Sequence, residues 1–513
     1  MIKYLGHASI YIEVGQTSIV TDPWFSKTGA FLASWHQFPE NEDLDIDLVR
    51  NVDYVVLSHE HLDHFDVNFI KTINKNTKIL IPVYKDKYLL NKLKEVTQNK
   101  VIEVNYKTKY KLSDNFTALP LNQTVPIQMD STWIFDTPEG VVVDVNDMAP
   151  TKDDIEWMKN NFDIKYLFHQ FSGANWYPHI YHYDSDKKIK LSKNKVSNKF
   201  HHCLSNFREL GAEYLIPSAG PPCFLDDELF EMNFSESSTF PTSDIFYEYC
   251  KNENIDLDKI ILCLPNDVIK EKHNNTKLFK HEAYSDRVNY LKKYKDRRQP
   301  VINEYKKSIE YHSLNTENLL DRFKASLEPL VEASRFFRKQ IGGKVLFEID
   351  GKYNFLVNFL RRKNSVSEWD GKQEYMYRYE ISLTYLNMIL ERELRWEELF
   401  LSCRFKAFRD PDIHNQALQT FLYYDGHQAK DMYKHYEEYY NRQKLEETFV
   451  LKTGGKKYNC QRYCPHAMVD LSKGKVVGGE LICPGHGWAF KLDGGSCDRH
   501  NSKIQCEEIY ENN

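Results

Sequence analysis

Two sets of metal-binding side chains stand at opposite ends of this 513-residue chain. Near the end, Cys464 and His466 are followed after a sixteen-residue gap by Cys483 and His486, a C-x-H…C-x-x-H pattern. Two thiolates on one iron and two imidazoles on the other hold a 2Fe-2S cluster, whose potential lies above that of an all-cysteine cluster. Such a cluster moves one electron at a time. The alternative is a structural zinc, but the usual Cys2His2 modules pair Cys with Cys and His with His, whereas each knuckle here gives one of each. Near the start, Ser58-His59-Glu60-His61-Leu62-Asp63-His64 follows a mostly apolar run over 52–57. That run predicts a buried strand, with the motif on the loop at its C-terminal end, where open α/β sheets place their sites. Imidazoles at i and i+2, a carboxylate at i+4 and an imidazole at i+5 can wrap a loop around two adjacent metals. A chance surface loop would have to place three of the chain's 19 histidines in six positions.

The residues around the first pattern narrow it. Cys483-Pro484-Gly485-His486-Gly487-Trp488-Ala489-Phe490 resembles the C-P-x-H-G-W-x-F loop of Rieske oxygenases and their ferredoxins. Respiratory Rieske proteins carry a disulfide cysteine in each loop and a serine that donates to the cluster; here Val469 and Gly485 occupy the cysteine positions, and Trp488 stands two residues after His486. Fewer hydrogen bonds to the sulfurs mean a lower potential, which implies oxygen chemistry rather than respiration.

The H-x-H-x-D-H motif is the signature of the metallo-β-lactamase fold, and Leu5-Gly6-His7-Ala8-Ser9 and Thr21-Asp22-Pro23-Trp24 are similar to the opening strands of one branch of that superfamily. The resemblance implies that His59 and His61 bind one metal, and Asp63 and His64 a second. It also implies a bridging carboxylate after a later strand, within Gly140-Val141-Val142-Val143-Asp144-Val145-Asn146-Asp147; Asp147 keeps the better spacing and Asp144 is the alternative. The family's third-strand histidine should fall near 121–130, where the chain has none. Either one metal has an incomplete shell or His169, His179 or His182 substitutes.

Both domains on one chain resemble the CMP-N-acetylneuraminate hydroxylase family, which hydroxylates the N-acetyl methyl group of a nucleotide-activated sialic acid. Asp22-Pro23-Trp24, Phe171-Ser172-Gly173, Tyr177-Pro178, Pro217-Ser218-Ala219-Gly220, Trp396-Glu397-Glu398-Leu399 and Arg409-Asp410-Pro411-Asp412 carry the likeness, over about 1–430 plus the cluster segment. The departure is order: that family has its Rieske domain first, and this chain has it last. The resemblance implies a monooxygenase with two iron ions at the N-terminal motif, an external electron donor (ferredoxin, cytochrome or flavin reductase) and a small-molecule substrate, such as an N-acylated or nucleotide-activated sugar. Domain order leaves room for another amine, amide or sugar.

Two other readings stay open. A zinc pair would activate water as a hydrolase, but hydrolysis has no use for a cluster's electrons. An electron-transfer protein with a degenerate metal site would account for the missing third-strand histidine. A mononuclear Rieske-oxygenase iron site has no D-x-x-H-x4-H helix to sit on; Asp412-Ile413-His414 has the wrong spacing.

Composition bounds the rest. A hydrophobic share of 41% and a formal charge of −6, without a basic aromatic face, predict a globular protein that does not bind nucleic acid. No window reaches eighteen apolar residues, and Met1-Ile2-Lys3-Tyr4 enters a strand directly, so the expectation is a cytoplasmic protein without a membrane partner. Five of the ten cysteines crowd into 460–506, and the others are scattered singly and read as buried thiols of a reducing compartment; Cys460, close to Cys464, reads as packing. The expected fold class is α/β: an αββα metallo-β-lactamase sandwich over 1–230, a mainly helical extension over 231–340, a small α+β domain over 341–440 and an all-β Rieske domain over 446–513. The segment 437–447 reads as a polar, charged bridge.

Overall fold

A computed structural model describes residues 1–122, 130–173, 175–271, 273–424, 429–442, 447–465, 469–484, 487–498 and 502–509. The chain divides into two compact units, one of 1–124, 128–174 and 192–303, the other of 125–127, 175–191 and 304–513.

The first unit is built on two six-stranded sheets. In one, β1 (Ile2–Gly6), β2 (Ser9–Val14) and β3 (Thr17–Thr21) are antiparallel, and β3 continues in parallel to β5 (Tyr54–Val56), β6 (Lys78–Pro82) and β7 (Val101–Val104). In the other, β8 (Tyr110–Ser113), β9 (Phe116–Asn122), β10 (Ser131–Thr137) and β11 (Gly140–Asp144) are antiparallel, and β11 runs on in parallel to β12 (Ile164–Gln170) and β13 (Tyr214–Ser218). A short pair, β4 (His36–Gln37) with β14 (Pro222–Cys223), stands apart.

Side chains alternate across a strand, and both faces of these strands are covered. On β10, Trp133 and Phe135 enter a core shared with Ile10, Ile19, Val56 and Leu80 of the first sheet, while Ile134 joins Phe200, Leu204 and Phe207 of a helix. Tyr11, Val20, Val55 and Ile79 meet Phe65, Phe69, Ile70 and Leu93 on the first sheet's outer face. Two sheets face to face with helices outside make the αββα sandwich. Double burial explains why the central strands read as continuous apolar runs.

In the second unit a five-stranded sheet has the order β17 (Val366–Glu368), β16 (Tyr353–Asn358), β15 (Lys344–Ile349), β18 (Tyr377–Ile381), β19 (Lys406–Arg409). The segment 175–191 belongs here: Tyr181 bridges Ala407, and His182 lies 2.8 Å from Glu380. The apolar stretch after Leu319 forms two helices, Leu319–Ala333 and Arg335–Ile341, because Ser334 leaves helical geometry and its hydroxyl caps Phe337 N–H (3.1 Å). The expected polar bridge at 437–447 is helical as far as Arg442, in the helix Ala429–Arg442. Its Tyr433, Tyr436 and Tyr440 pack on Phe336 and Phe337 at helical spacing, an aromatic stripe that the charged residues between them conceal.

The C-terminal part is all-β: β20 (Thr448–Thr453), β21 (Lys456–Gln461) and β25 (Cys506–Ile509) in one three-stranded sheet, and β22 (Lys475–Val477), β23 (Glu480–Ile482) and β24 (Ala489–Lys491) in another. Among the described residues no helix is long and apolar enough to cross a membrane.

Candidate metal centre and cluster loops

The histidine motif sits where β5 ends. Leu57 N–H donates to Leu80 O (2.9 Å), and the chain then turns so that His64 N–H donates to His61 O (2.9 Å). Because β3 is parallel to β5, the residue after β3, Asp22, lies beside the start of this loop, and its N–H donates to Val56 O (2.9 Å). Asp22 then takes hydrogen bonds from Ser58 N–H (2.7 Å) and Ser58 Oγ (2.5 Å), and its Oδ2 lies 2.9 Å from His64 Nδ1.

These bonds set the tautomers. With its proton given to Asp22, the Ser58 hydroxyl accepts from His59 Nδ1 (2.8 Å), leaving His59 Nε2 with a lone pair directed inward. His64 Nδ1 is likewise occupied by Asp22, so its Nε2 faces the site, 3.7 Å from both Asp63 Oδ2 and Asp147 Oδ1. One carboxylate thus orients a histidine in each half of the site.

Two groups of donor atoms result, each within 4.8 Å of one another: His7, Asp63 and His64, wholly buried, and His59, His61 and Asp147, with His61 and Asp147 partly exposed. His7 Nε2 lies 3.0 Å from Asp63 Oδ2, and His59 Nε2 lies 2.9 Å from His61 Nδ1. Burial, reinforced by the imidazoles of His64, His61 and His7, holds His59 well below the ordinary histidine range. Burial also opposes charge on His64, but Asp63, Asp147 and Asp22 outweigh it and lift that group to about 10. A buried Nε2 with no hydrogen-bond partner among the described residues, facing two carboxylates, is a donor set that suits cations. Imidazole and carboxylate donors fit iron or zinc equally.

Asp147 occupies the edge shared by the two groups. Gln170 Nε2 donates to its Oδ1, and Lys199 Nζ donates to Gln170 Oε1. Asp144 is buried, and burial pushes its carboxyl well up, toward the neutral form. Asp147→Ala is expected to lower metal occupancy of both positions about 10-fold or more, with Asp144→Ala acting weakly through packing. Metal content of the dialysed variants checks this, and the reverse ranking would move the bridge to Asp144.

Where a third-strand histidine was expected, 123–129 lie outside the described residues, and Asp130 stands with Oδ1 3.8 Å from His59 Nε2. Burial raises its carboxyl to about 7. His169 enters neither group; its Nδ1 lies 2.8 Å from Gln170 O and its Nε2 2.9 Å from Asn206 Nδ2, with burial holding it down to about 4. His179 and His182 belong to the second unit. Sequence reasoning passed over His7, Asp22 and Asp130 as site residues, although His7 and Asp22 lie inside quoted motifs.

At the other pattern, Cys464 and Cys483 are both fully buried. Cys464 N–H donates to Val469 O (2.9 Å), Gly487 N–H to Cys483 O (2.9 Å), and Cys483 N–H to Trp488 O (2.7 Å). His466 and His486 lie outside the described residues. The Trp488 ring stands edge-on to His414, with centroids 5.7 Å apart.

Residues 1–143 match the beta-lactamase superfamily domain, residues 319–442 the Rv3818-like, SCP2-like domain, and residues 425–507 the Rieske [2Fe-2S] domain. The chain joins a metallo-β-lactamase-fold domain to a Rieske domain. It is 28% identical, over 99% of its length and 100% of the relative's, to a Mycolicibacterium smegmatis protein named as a Rieske 2Fe-2S iron-sulfur protein. It is 20% identical to the cytidine monophosphate-N-acetylneuraminic acid hydroxylase of Danio rerio, over 81% of this chain and 70% of that one. Among solved structures it is similar to CmlA, a diiron beta-hydroxylase from Streptomyces venezuelae, at 14% identity and a TM-score of 0.35, over 52% of this chain and 53% of that one. The Rieske match supports a 2Fe-2S cluster on the chain.

Proposed function

We propose that this protein is a Rieske-coupled oxygenase that inserts one oxygen atom of O2 into a small molecule, using two irons held by the histidine motif. The observation that carries the reading is the pairing on one chain of a one-electron cluster domain with a buried imidazole–carboxylate site able to hold two metals. Two irons would supply redox chemistry there, which a redox-inert zinc pair could not.

The chain's own residues divide the work. His59, His61 and Asp147 would hold one metal and His7, Asp63 and His64 the other, with Asp147, 3.7 Å from His64 Nε2, the residue that reaches toward both groups. Asp22 fixes the ring orientations of His59 and His64 through Ser58 and directly, so the ligands need not reorganise during turnover. Burial of the group around His7 keeps water from that side, which leaves the partly exposed edge of His61 and Asp147 for O2 and substrate. Cys464, His466, Cys483 and His486 would hold the cluster, whose chemistry when bound would be one-electron transfer from an external ferredoxin, cytochrome or flavin reductase. The likeness to a sialic acid hydroxylase supports an N-acylated or nucleotide-activated sugar as substrate.

Metal analysis with oxygen uptake tests the reading. About four irons per chain, with substrate-dependent O2 consumption by the reduced protein, is the expected result. About two irons and two zincs, with substrate cleavage that ignores the cluster's oxidation state, would replace it by a zinc hydrolase.

A further inference from the structure

Ten cysteines sit on this chain, and the oxygenase reading uses only Cys464 and Cys483. Two of the others face each other across a β-ladder. Cys460, on β21, is paired in register with Cys506, the first residue of β25. The neighbouring pair, Gln461 with Gln505, is hydrogen-bonded through Gln461 N–H to Gln505 O (2.6 Å). Antiparallel pairs alternate, so Cys460 and Cys506 occupy a non-hydrogen-bonded position, where opposed Cα atoms approach to about 4.5 Å and side chains lie closest. That spacing falls inside the range a disulfide spans, about 4.4–6.8 Å. Their sulfurs are 2.9 Å apart, and both side chains are buried, at 0% and 2% exposure.

From this geometry we infer that Cys460 and Cys506 form a reversible redox pair that closes to a disulfide under peroxide. The oxidant is a hydroperoxide, hydrogen peroxide in its simplest form. One sulfur, as thiolate, attacks a peroxide oxygen; the O–O bond breaks, and a sulfenic acid and one water result. The partner thiol attacks that sulfur, the S–S bond forms, the S–O bond breaks and a second water leaves. The two thiols together lose two electrons and two protons, and one peroxide becomes two waters. A dithiol reductant reverses the step. β25 is an edge strand in the order β20-β21-β25, so local opening at the sheet edge admits a small oxidant to a pair otherwise shut from solvent.

The position of the pair gives the bond its purpose. Cys460 and Cys506 are 46 residues apart, and Cys464, His466, Cys483 and His486 all lie between them. A bond there encloses every cluster ligand in one covalent loop and ties the last described strand to its sheet. Cross-linking a loop of this length restricts the unfolded chain, so the oxidised form is expected to keep its fold and cluster at higher denaturant than the reduced form.

The test uses the full-length holoprotein, treated with substoichiometric hydrogen peroxide, denatured, alkylated and mapped by peptide mass under non-reducing conditions. The expected product is the Cys460 peptide joined to the Cys506 peptide with loss of two hydrogens, reversed by dithiothreitol. Its appearance should coincide with an upward shift in the denaturant midpoint for loss of the visible cluster spectrum. Cys506→Ser should abolish both the joined peptide and the shift. Alkylation of both cysteines after oxidation, or Cys460 joined instead to Cys464 or Cys497, would overturn the inference. If Cys506→Ser fails to fold, the wild-type map alone decides.

Discussion

His61→Ala should lower substrate-dependent oxygen uptake by at least about 100-fold and leave the EPR spectrum of the reduced cluster unchanged. His61 lies in the partly exposed donor group, its Nδ1 2.9 Å from His59 Nε2, and it belongs to a different unit of the chain from the cysteine loops. Losing it removes a ligand from one metal while His7, Asp63 and His64 keep the other group intact. Iron content should therefore fall by a fraction of the site's complement, with all of the cluster's iron retained. Full turnover by this variant would place the chemistry elsewhere.

Cys464→Ser should give the complementary result: no Rieske EPR signal, reductase-driven turnover reduced to background, and metal retained at the histidine motif. Cys464 is fully buried, and a hydroxyl is a poor substitute for a thiolate on iron. The variant's N-terminal site should still bind the iron of about two atoms per chain that its donor groups can hold. A chemical reductant small enough to reach that site should restore part of the oxygen uptake. Unchanged turnover with the reductase would exclude the cluster as electron donor and return the protein to the hydrolases.

Much of this architecture was legible because it is written locally. The 52–57 run ends in a histidine-rich loop, and β5 ends at Val56 with that loop following. Ile134 stands between Trp133 and Phe135, and the two faces of β10 enter different cores. What escaped was placed by distant pairing. His7 lies 56 residues from Asp63, and Asp22 lies 42 from His64. A hairpin reading would have found them: β2 is antiparallel to β3, so the β1–β2 turn carrying His7 lies at the same edge as the end of β3, where Ser9 Oγ donates to Thr21 O (2.8 Å). That edge is also the C-terminal end of β5, since β3 and β5 are parallel. His7 takes φ 52° in that turn, a conformation that only three-dimensional context selects. Asp130 follows a stretch with no periodicity to read, and the Ala429–Arg442 helix hid its tyrosine stripe among charges.

The detour of 175–191 into the second unit has a consequence for how the protein is made. Tyr181 bridges Ala407, His182 meets Glu380, and Tyr183 and Lys187 both bond Asp412 through side chains 2.5 and 2.7 Å away. As the chain leaves the ribosome, this segment emerges more than two hundred residues before Ala407 and Asp412 do. The first unit can assemble its sandwich once residue 303 is out, but a short stretch in its middle must wait for partners not yet synthesised. A nascent chain stalled at that point carries the 175–191 segment without the partners it bonds in the finished protein. Completion of the second unit is therefore what supplies this early segment with its pairing partners.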